Sequence, residues 1–235
     1  MTIENGSILR VNYTGFDSET KKMIDTTFED KAKKNGLLQE GKQYGSIIII
    51  LGEKELMPGL EKAVETMTQG EKKMVSMNPE EAFGERNSQL INVVPLNEFK
   101  KIKMQPFPGL VIELNGQIGK VQTVSGGRVR VDFNHPLAGK KVEYEIEVEK
   151  VFSDDEKNLA LVKKIFPKTT ETEIKLKDKE LLLKKDLEKD SNKEIIKTIL
   201  EELLKKYGKN VEKVKIVKEF EKTEKQPKSE EKTTK

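Results

Sequence analysis

The stretch LGEKELMPGLEKAVETMTQGEKKMVSMNPEEAFGE, Leu51 to Glu85, decides the fold of this chain. Just before it, Ile47 to Leu51 is an uninterrupted apolar run, which is typical of a strand covered on both faces. From Met57 to Met67 apolar residues recur at helical spacing, and Pro58 fits the first helical turn, where its missing N–H is not needed. Val75 to Met77 then alternates apolar and polar side chains as a short strand does. The stretch therefore predicts one compact unit of strand, helix and strand.

Further motifs flank this unit in a fixed order. VNYTG (Val11 to Gly15) and MID (Met23 to Asp25) precede it, and NHPLAGKKVEYEIEVEKV (Asn134 to Val151) follows it with strict strand alternation. Together with LGEKELMPGLE and PEEAFGE, these motifs resemble the FKBP family of peptidyl-prolyl cis-trans isomerases. That family's pattern runs YTG, a hydrophobic residue followed by Asp, LG…E…GxE, and A[YF]G. The resemblance covers roughly residues 1 to 152.

The spacing of the motifs indicates an insertion. About fifty residues separate Gly84 from the returning NHPLAG motif, and this layout is similar to the SlyD-like, long archaeal-type branch, in which a second domain interrupts the isomerase flap. The resemblance implies an α+β fold with an FKBP-type antiparallel sheet wrapped around one helix, an inserted small β-rich domain and a C-terminal α+β domain. The predicted divisions are an isomerase domain at 1–85 and 132–152, an insert-in-flap domain at 86–131, a C-terminal domain at 153–221 and a disordered tail at 222–235.

The insert is predicted to be a small sheet. Its strands are expected at 110–114, 117–124 and 128–133, and the dipeptides Asn115-Gly116 and Gly126-Gly127 between them favour tight hairpin turns. Upstream, QLINVVPLNEF (89–99) is its most hydrophobic segment, which could be core or a sticky groove. Pro95 within this segment argues against a central strand.

The C-terminal region follows a polar linker at 153–158. Patterns predict a short helix at 158–166, strands at 173–177 and 181–184, a helix with a broad apolar face at 195–207, and a last strand at 211–217. No repeat or family pattern marks this region. It could form a homodimer or dock a partner, and it could equally be a spacer.

Composition limits the class of protein. Of 44 Lys and Arg residues 40 are Lys, and charged residues make up 36% of the chain, a bias typical of hyperthermophile proteins that an AT-rich genome also produces. The absence of Cys excludes disulfides and thiolate zinc sites, and it fits a reducing cytoplasm. The N-terminus lacks a signal-peptide pattern, and the longest apolar run is too short to cross a bilayer, so we expect a soluble cytoplasmic protein without membrane contact. Net charges of −1 for 1–150 and +4 for 151–235 do not indicate nucleic-acid binding.

Rotation of an X-Pro bond needs no chemical group transfer. The barrier of about 18–20 kcal/mol comes from amide resonance, and the twisted transition state is less dipolar than the planar amide, so an apolar pocket favours it. The resemblance implies that Leu60 is the floor of this pocket and that Tyr13 and Asp25 orient the substrate. FKBPs that bind macrolide drugs tightly usually have Trp at this floor and Tyr at the position of Phe83, so drug affinity is left open. The implied catalytic residues are Tyr13, Asp25, Leu60, Phe83 and Tyr144, and the implied substrate-binding residues are Ile24, Ile47, Leu56, Met57, His135 and Leu137.

Without the family pattern, these residues would be interpreted as ordinary core, turn and strand positions. The lone His135 cannot form a metal site and the tail contains no His, so we predict neither metal nor cofactor. The resemblance further implies a chaperone surface on the insert that binds unfolded or nascent polypeptides; its alternative is a structural lid. The residues assigned to this surface are Leu90, Ile91, Val93, Val94, Leu96 and Phe99.

We therefore expect a peptidyl-prolyl isomerase with chaperone activity. The rival hypothesis is a holdase whose isomerase pocket is vestigial because of Leu60 and Phe83. A ribosome or nucleic-acid adaptor using the C-terminal region is disfavoured by its weak charge.

Overall fold

The structure is a computed structural model, and it describes residues 3–185 and 192–218. The predicted tail at 222–235 lies outside the described residues. The strands are β1 (Ile8–Asp17), β2 (Met23–Thr26), β3 (Ile47–Ile50), β4 (Lys72–Met77), β5 (Ile91–Pro95), β6 (Val111–Leu114), β7 (Gln117–Ser125), β8 (Arg128–Asp132), β9 (Val142–Val151), β10 (Ile174–Lys177), β11 (Glu180–Lys184) and β12 (Lys213–Val217). The helices are α1 (Glu29–Lys34), α2 (Pro58–Glu65), α3 (Leu96–Lys101), α4 (Lys157–Ile165) and α5 (Lys193–Tyr207). The predicted α+β class is confirmed.

The described residues form two compact units. The first comprises 3–5, Val11–Ile47 and Leu51–Lys150, and the second comprises Gly6–Arg10, Ile48–Ile50 and the described residues from Val151 onward. The finer division predicted at 85/86, 131/132 and 152/153 stays a prediction. Within the described part of the chain, no helix is both long and apolar enough to cross a membrane.

A five-stranded sheet has the order β2-β1-β9-β4, with β3 paired to β1. Strand β4 pairs antiparallel with β9, from Lys72 opposite Glu147 to Met77 opposite Val142. Along β9 every second residue as far as Val148 is buried, because alternate side chains of a strand point to one face. The alternation seen in the sequence therefore predicted the strand correctly.

Helix α2 packs closely against β4. It begins at Pro58, as predicted, and buries Gly59, Leu60, Ala63 and Val64. A Cβ atom at Gly59 would lie 2.6 Å from Met77 Cγ, so only glycine lets the helix backbone approach the strand this closely. The helix ends at Glu65, two residues before the predicted end, and the Thr66 hydroxyl donates a 2.8 Å hydrogen bond to the carbonyl of Ala63. The Ala63 carbonyl also accepts the Thr66 N–H at 3.2 Å, so Thr66 closes the last helical turn with both its backbone and its side chain.

The insert is a four-stranded antiparallel sheet in the order β5-β8-β7-β6. Both predicted hairpin dipeptides adopt positive φ angles, Asn115 at 53° and Gly116 at 75° in one turn, Gly126 at 55° and Gly127 at 73° in the other. Pro95 ends the edge strand β5, as its missing N–H requires. Helix α3 supplies a side chain to the core, whose buried residues are Phe99, Ile112, Val121, Val129 and Val131.

The second unit has its own sheet and core. Strands β10 and β11 are antiparallel, as the turn at Asp178-Lys179 predicts, and β11 pairs with β12 in parallel. Helices α4 and α5 contribute to a core that also contains Ile8 and Ile50, both 0% exposed. The apolar face predicted for α5 is only partly buried. Leu200 and Leu204 lie in the core, whereas Ile195 and Ile199 are exposed, so the buried part of the helix is narrower than its apolar face.

Candidate functional site

A tyrosine and an aspartate from adjacent strands form the polar part of the site. The Tyr13 hydroxyl, on β1, donates a 3.1 Å hydrogen bond to Asp25 Oδ2, on β2. The two strands bring them together because Gly15 lies directly opposite Asp25 in the register, two positions from Tyr13 on the same face. The sequence interpretation of Tyr13 and Asp25 as a pair is therefore matched by their geometry.

The backbone around this pair is held on both strands. Tyr13 donates its N–H to Thr27 Oγ1 and accepts the N–H of Thr27 at its carbonyl, both at 3.1 Å. Buried Thr14 and Thr26 share a 3.1 Å hydroxyl hydrogen bond across the strands. The N–H of Thr26 also donates to Asp25 Oδ1 at 2.8 Å, which orients the carboxylate. The phenol and the carboxylate therefore sit on a fully hydrogen-bonded backbone rather than on a loop.

Tyr144 completes the cluster from strand β9. Its ring centroid lies 5.9 Å from that of Tyr13, the planes are tilted by 52°, and the residue is 2% exposed. A Cβ atom at Gly15 would lie 2.4 Å from Tyr144 Cζ, so the glycine of the YTG motif makes room for this ring. The motif thus has a packing reason: Tyr13 supplies a hydroxyl and Gly15 supplies the space beside it.

Burial and the carboxylate keep both phenols protonated. Desolvation, followed by the charge of Asp25 and its hydrogen bond, raises the pKa of Tyr13 to about 12. Desolvation and the Asp25 charge also raise the pKa of Tyr144 above its ordinary value. At neutral pH both groups are therefore hydrogen-bond donors. An arrangement of this kind orients a polar substrate but is unsuited to proton transfer.

A lysine that no sequence motif predicts also lies at this site. Lys42 Nζ lies 2.7 Å from Asp25 Oδ1, so the carboxylate is shared between an ammonium and the Tyr13 phenol. Tyr44 organises the surrounding loop, since its hydroxyl donates to the carbonyl of Leu37 and its ring lies 5.4 Å from Lys42 Nζ. One lysine among 40, in a segment without periodicity, gave no signal in the sequence.

The apolar residues assigned to the pocket differ in exposure. Leu60 and Leu56 are 1% and 9% exposed, so both belong to the buried core. The half-buried members are Ile24, Ile47, Met57 and Leu137. Their role in substrate binding, and that of Leu60 as the floor, stays a prediction.

Phe83 and His135 form a pair on the two segments that lead into and out of the insert sheet. Their rings stack with centroids 4.6 Å apart and planes within 3° of parallel, and His135 Nδ1 accepts the N–H of Leu137 at 3.2 Å. The N–H of Gly139 donates to the carbonyl of Gly84 at 2.9 Å, which ties the two connecting segments together. The structure thus brings together residues that are separated by 52 positions in the chain.

Polar side chains reinforce this junction. Arg86 forms an ion pair with Asp132, whose side chain is 6% exposed. The side chain of Asn134 accepts the N–H of Asn87 and donates to its carbonyl, at 2.8 and 2.9 Å. The strands that enter and leave the insert are therefore held side by side.

The residues assigned to a chaperone surface do not share one environment. Val93 is 60% exposed and Leu90 38%, whereas Ile91 is half-buried. Val94 and Leu96 are also half-buried and pack against the insert core. Phe99 is instead fully buried in that core at 0% exposure, because the helical turn after Pro95 directs it inward. The segment 89–99 was predicted to be either core or a sticky groove. Phe99 is part of the core, whereas Val93 is accessible at the surface.

Within the described residues, no three side chains of His, Cys, Asp or Glu are grouped so that they could hold a metal ion. The prediction that no metal is used stays a prediction.

Two family models match parts of the chain. The model described as FKBP-type peptidyl-prolyl cis-trans isomerase matches residues 1–100, and the model described as FKBP26, IF domain, matches residues 92–137. The second match falls on the sheet formed by β5 to β8 and its exit.

Curated proteins resemble the first part of the chain. A short-type peptidyl-prolyl cis-trans isomerase from Methanocaldococcus jannaschii is 36% identical over 149 residues, which is 63% of this chain and 94% of that protein. The FKBP-type 16 kDa peptidyl-prolyl cis-trans isomerase of Escherichia coli is 28% identical over 63% of this chain and 92% of its own length. The SlyD isomerase of Helicobacter pylori is 34% identical over 42% of this chain and 55% of its own length.

Proposed function

Because this chain belongs to the FKBP-type peptidyl-prolyl cis-trans isomerase family, we propose that it rotates X-Pro bonds at the cluster formed by Tyr13, Asp25 and Tyr144. The observation that carries this proposal is the convergence of three strands on one partly buried cluster of two tyrosines and a carboxylate. The substrates would be unfolded or nascent polypeptides. A cytoplasmic location remains a prediction from the sequence.

The cluster would act by orienting the peptide, since no bond is made or broken. Twisting the amide removes its resonance and lowers its dipole, so a site walled by aromatic rings and Leu60 stabilises the twisted form relative to the planar one. Each factor of ten in rate requires about 1.4 kcal/mol of such preference. The protonated Tyr144 phenol would donate to a flanking carbonyl group of the peptide, while the Tyr13 phenol donates to Asp25.

Tyr144 is the phenol with an uncommitted hydroxyl. Tyr13 donates to Asp25, whereas the Tyr144 hydroxyl makes no hydrogen bond to any described residue. Phe83 cannot donate a hydrogen bond to a bound peptide, so we assign this task to Tyr144. The buried position of the ring fixes the direction of its hydroxyl.

A protease-coupled assay on a short Ala-Pro peptide tests this assignment. Tyr144→Phe is expected to lower kcat/KM about 2- to 12-fold, the equivalent of one hydrogen bond of about 0.5–1.5 kcal/mol. Tyr207→Phe, in the second unit, is the matched control and should leave kcat/KM unchanged. Unchanged turnover in both Tyr144→Phe and Asp25→Ala would contradict catalysis at this cluster.

We further propose that the insert gives the isomerase chaperone activity. Support comes from the match of residues 92–137 to an insert-domain model and from the exposed Val93 and Leu90 at the edge strand β5. An edge strand can bind an extended chain by strand addition, which would raise the local concentration of X-Pro segments near the cluster.

A variant lacking 87–131 separates the two activities. It should retain turnover of the short peptide and lose most of its effect on refolding of a proline-limited protein, because tethering matters only for long chains. The holdase alternative makes its own prediction for Asp25→Ala. This variant should suppress aggregation as well as wild type does, and it should lose no peptide turnover relative to wild type. Equal losses on both substrates after the deletion would count against this division of labour.

A homodimer formed through the second unit is a separate proposal. Ile195 and Ile199 are 61% and 46% exposed one helical turn apart on α5, and Leu176 on β10 is 47% exposed. Light scattering at micromolar concentration would test it, and Ile195→Glu with Ile199→Glu should give a monomer. A wild-type monomer at these concentrations would contradict it.

A further inference from the structure

One face of the insert sheet carries exposed β-branched residues. In β8, Val129 and Val131 point into the insert core, so Arg128 and Arg130 lie on the opposite face. The register places Val93 directly opposite Arg130 on that same face. We define this outer face by Val93, Val111, Glu113, Ile118, Lys120, Arg128 and Arg130.

The apolar residues of the outer face are strongly exposed. Val93, Val111 and Ile118 are 60%, 63% and 69% exposed and come from three different strands. They are distributed across the sheet from edge strand β5 to edge strand β6. The outer face therefore offers apolar contacts on three of the four strands of the insert, and β8 between them contributes arginines.

Cations alternate with these residues. Lys120 is opposite Val111 in the register, and Arg130 is opposite Val93. None of Lys120, Arg128 and Arg130 forms an ion pair with another residue in the described part of the chain. Asp132 shares their face but is buried and paired with Arg86. Glu113, opposite Ile118, is an exposed carboxylate on the same face, so the three cations leave the outer face a net charge of +2 for a ligand.

The charge of the insert differs from that of its surroundings. Residues 86–137 contain seven Lys and Arg against three Asp and Glu, a net charge of +4. The rest of 1–150 contains 14 against 19, a net charge of −5. The value of −1 for the whole region conceals this separation.

We propose that the outer face selects unfolded segments in which apolar residues alternate with Asp or Glu. This inference rests on the proposed chaperone function of the insert. An extended segment could place apolar side chains against Val93, Val111 and Ile118 and its carboxylates against the cations between them. Arginine binds carboxylates through two parallel hydrogen bonds, which adds direction to the attraction. A nucleic acid would use the cations but gain nothing from the three aliphatic residues, and no aromatic residue lies on this face for base stacking.

Fluorescence anisotropy with the full chain tests the selectivity. Two labelled 16-residue peptides without proline carry the same apolar residues, alternating with Glu in one and with Lys in the other; omission of proline keeps them from the isomerase cluster. We expect about tenfold tighter binding of the acidic peptide at low salt, because exposed charge contacts each contribute modestly and add over several pairs. The preference should largely disappear at 1 M salt, where the screening length is about 3 Å.

Charge reversal on two faces of the same insert supplies the matched control. Arg128→Glu with Arg130→Glu should remove or reverse the preference. Lys100→Glu with Lys101→Glu changes the net charge equally on α3, which packs on the inner face, and should preserve it. Circular dichroism of all variants checks that the insert remains folded.

The outcomes separate this inference from the function on which it rests. Equal binding of the two peptides, or a preference unaffected by Arg128→Glu with Arg130→Glu, would overturn the selectivity and leave the chaperone function standing. Failure of both peptides to bind would remove the chaperone function and the inference with it. A single-stranded RNA that binds more tightly than the acidic peptide and displaces it would overturn the assignment of the occupant.

Discussion

Replacing Gly15 by alanine tests whether the packing beside Tyr144 sets the geometry of the site. The new Cβ would lie 2.4, 2.6 and 2.8 Å from three carbons of the Tyr144 ring. Carbon atoms pack at about 3.5–4.0 Å, so the ring must shift by about 1 Å. Tyr144 is 2% exposed and rests against Tyr13, which leaves little free volume for that shift.

The expected magnitude follows from two opposing effects. Overpacking a dense core costs about 1–3 kcal/mol, whereas replacing a strand glycine by alanine returns about 0.5–1 kcal/mol of chain entropy. The net loss of unfolding free energy should therefore be about 0–2.5 kcal/mol, with a central value of about 1 kcal/mol. A displacement of about 1 Å in a positioning group can cost up to about 100-fold in rate, so kcat/KM should fall more than stability suggests. Urea denaturation and the Ala-Pro peptide assay measure the two quantities on the same sample.

A second substitution tests whether contact with the Tyr144 ring is the cause of the lost stability. Leucine at position 144 lacks the ring carbons that the new Cβ would meet. In a Tyr144→Leu background, Gly15→Ala should therefore change sign and stabilise the protein by about 0.5–1 kcal/mol. The reasoning is refuted if Gly15→Ala keeps wild-type stability and turnover, or if it destabilises both backgrounds equally.

Three further predictions concern pH and the insert. Because the pKa of Tyr13 is raised from 10.0 to about 12, folding stability should decline as the pH rises from 10 to 12, and Tyr13→Phe should reduce that decline in urea titrations. Lys140 lies 2.9 Å from Asp17 and lowers its pKa below 3.8, so stability should decline as the pH falls below about 4, and Lys140→Met should reduce that decline in thermal melts. An unchanged pH profile in either variant would disprove its assignment. Phe99→Ala should destabilise the insert by about 3–5 kcal/mol and expose its amides to hydrogen exchange, while short-peptide turnover stays at the wild-type level.

The elements that could be predicted from the sequence are those with a regular pattern. The alternation in β9, Pro58 at the start of α2 and the two hairpin dipeptides of the insert each determined an element locally. The end of α2 was predicted less accurately. The helix stops at Glu65, where the Thr66 hydroxyl donates to the Ala63 carbonyl, and the spacing of apolar residues does not reveal such a hydrogen bond.

The site could be predicted only where a motif names its residues. Tyr13, Asp25 and Tyr144 follow from the family pattern, and the structure brings them together, while their role in catalysis stays a prediction. Lys42 does not follow from that pattern, because it contacts Asp25 from a loop whose shape depends on Tyr44. Contacts of this kind depend on tertiary structure, and a lysine-rich sequence hides them among many exposed lysines.

The core of the second unit also contains residues from the first 50 positions of the chain. The polar segment at 153–158 suggests a cut after residue 152, yet the core of this unit includes Ile8 and Ile50, which precede that cut by more than 100 positions. Both side chains are fully buried, and burying an isoleucine contributes about 1.5–3 kcal/mol. A fragment that begins at 153 would therefore expose the part of its core that these two residues cover. The apolar surface that stabilises a unit, rather than the polar linker beside it, determines where the chain can be divided.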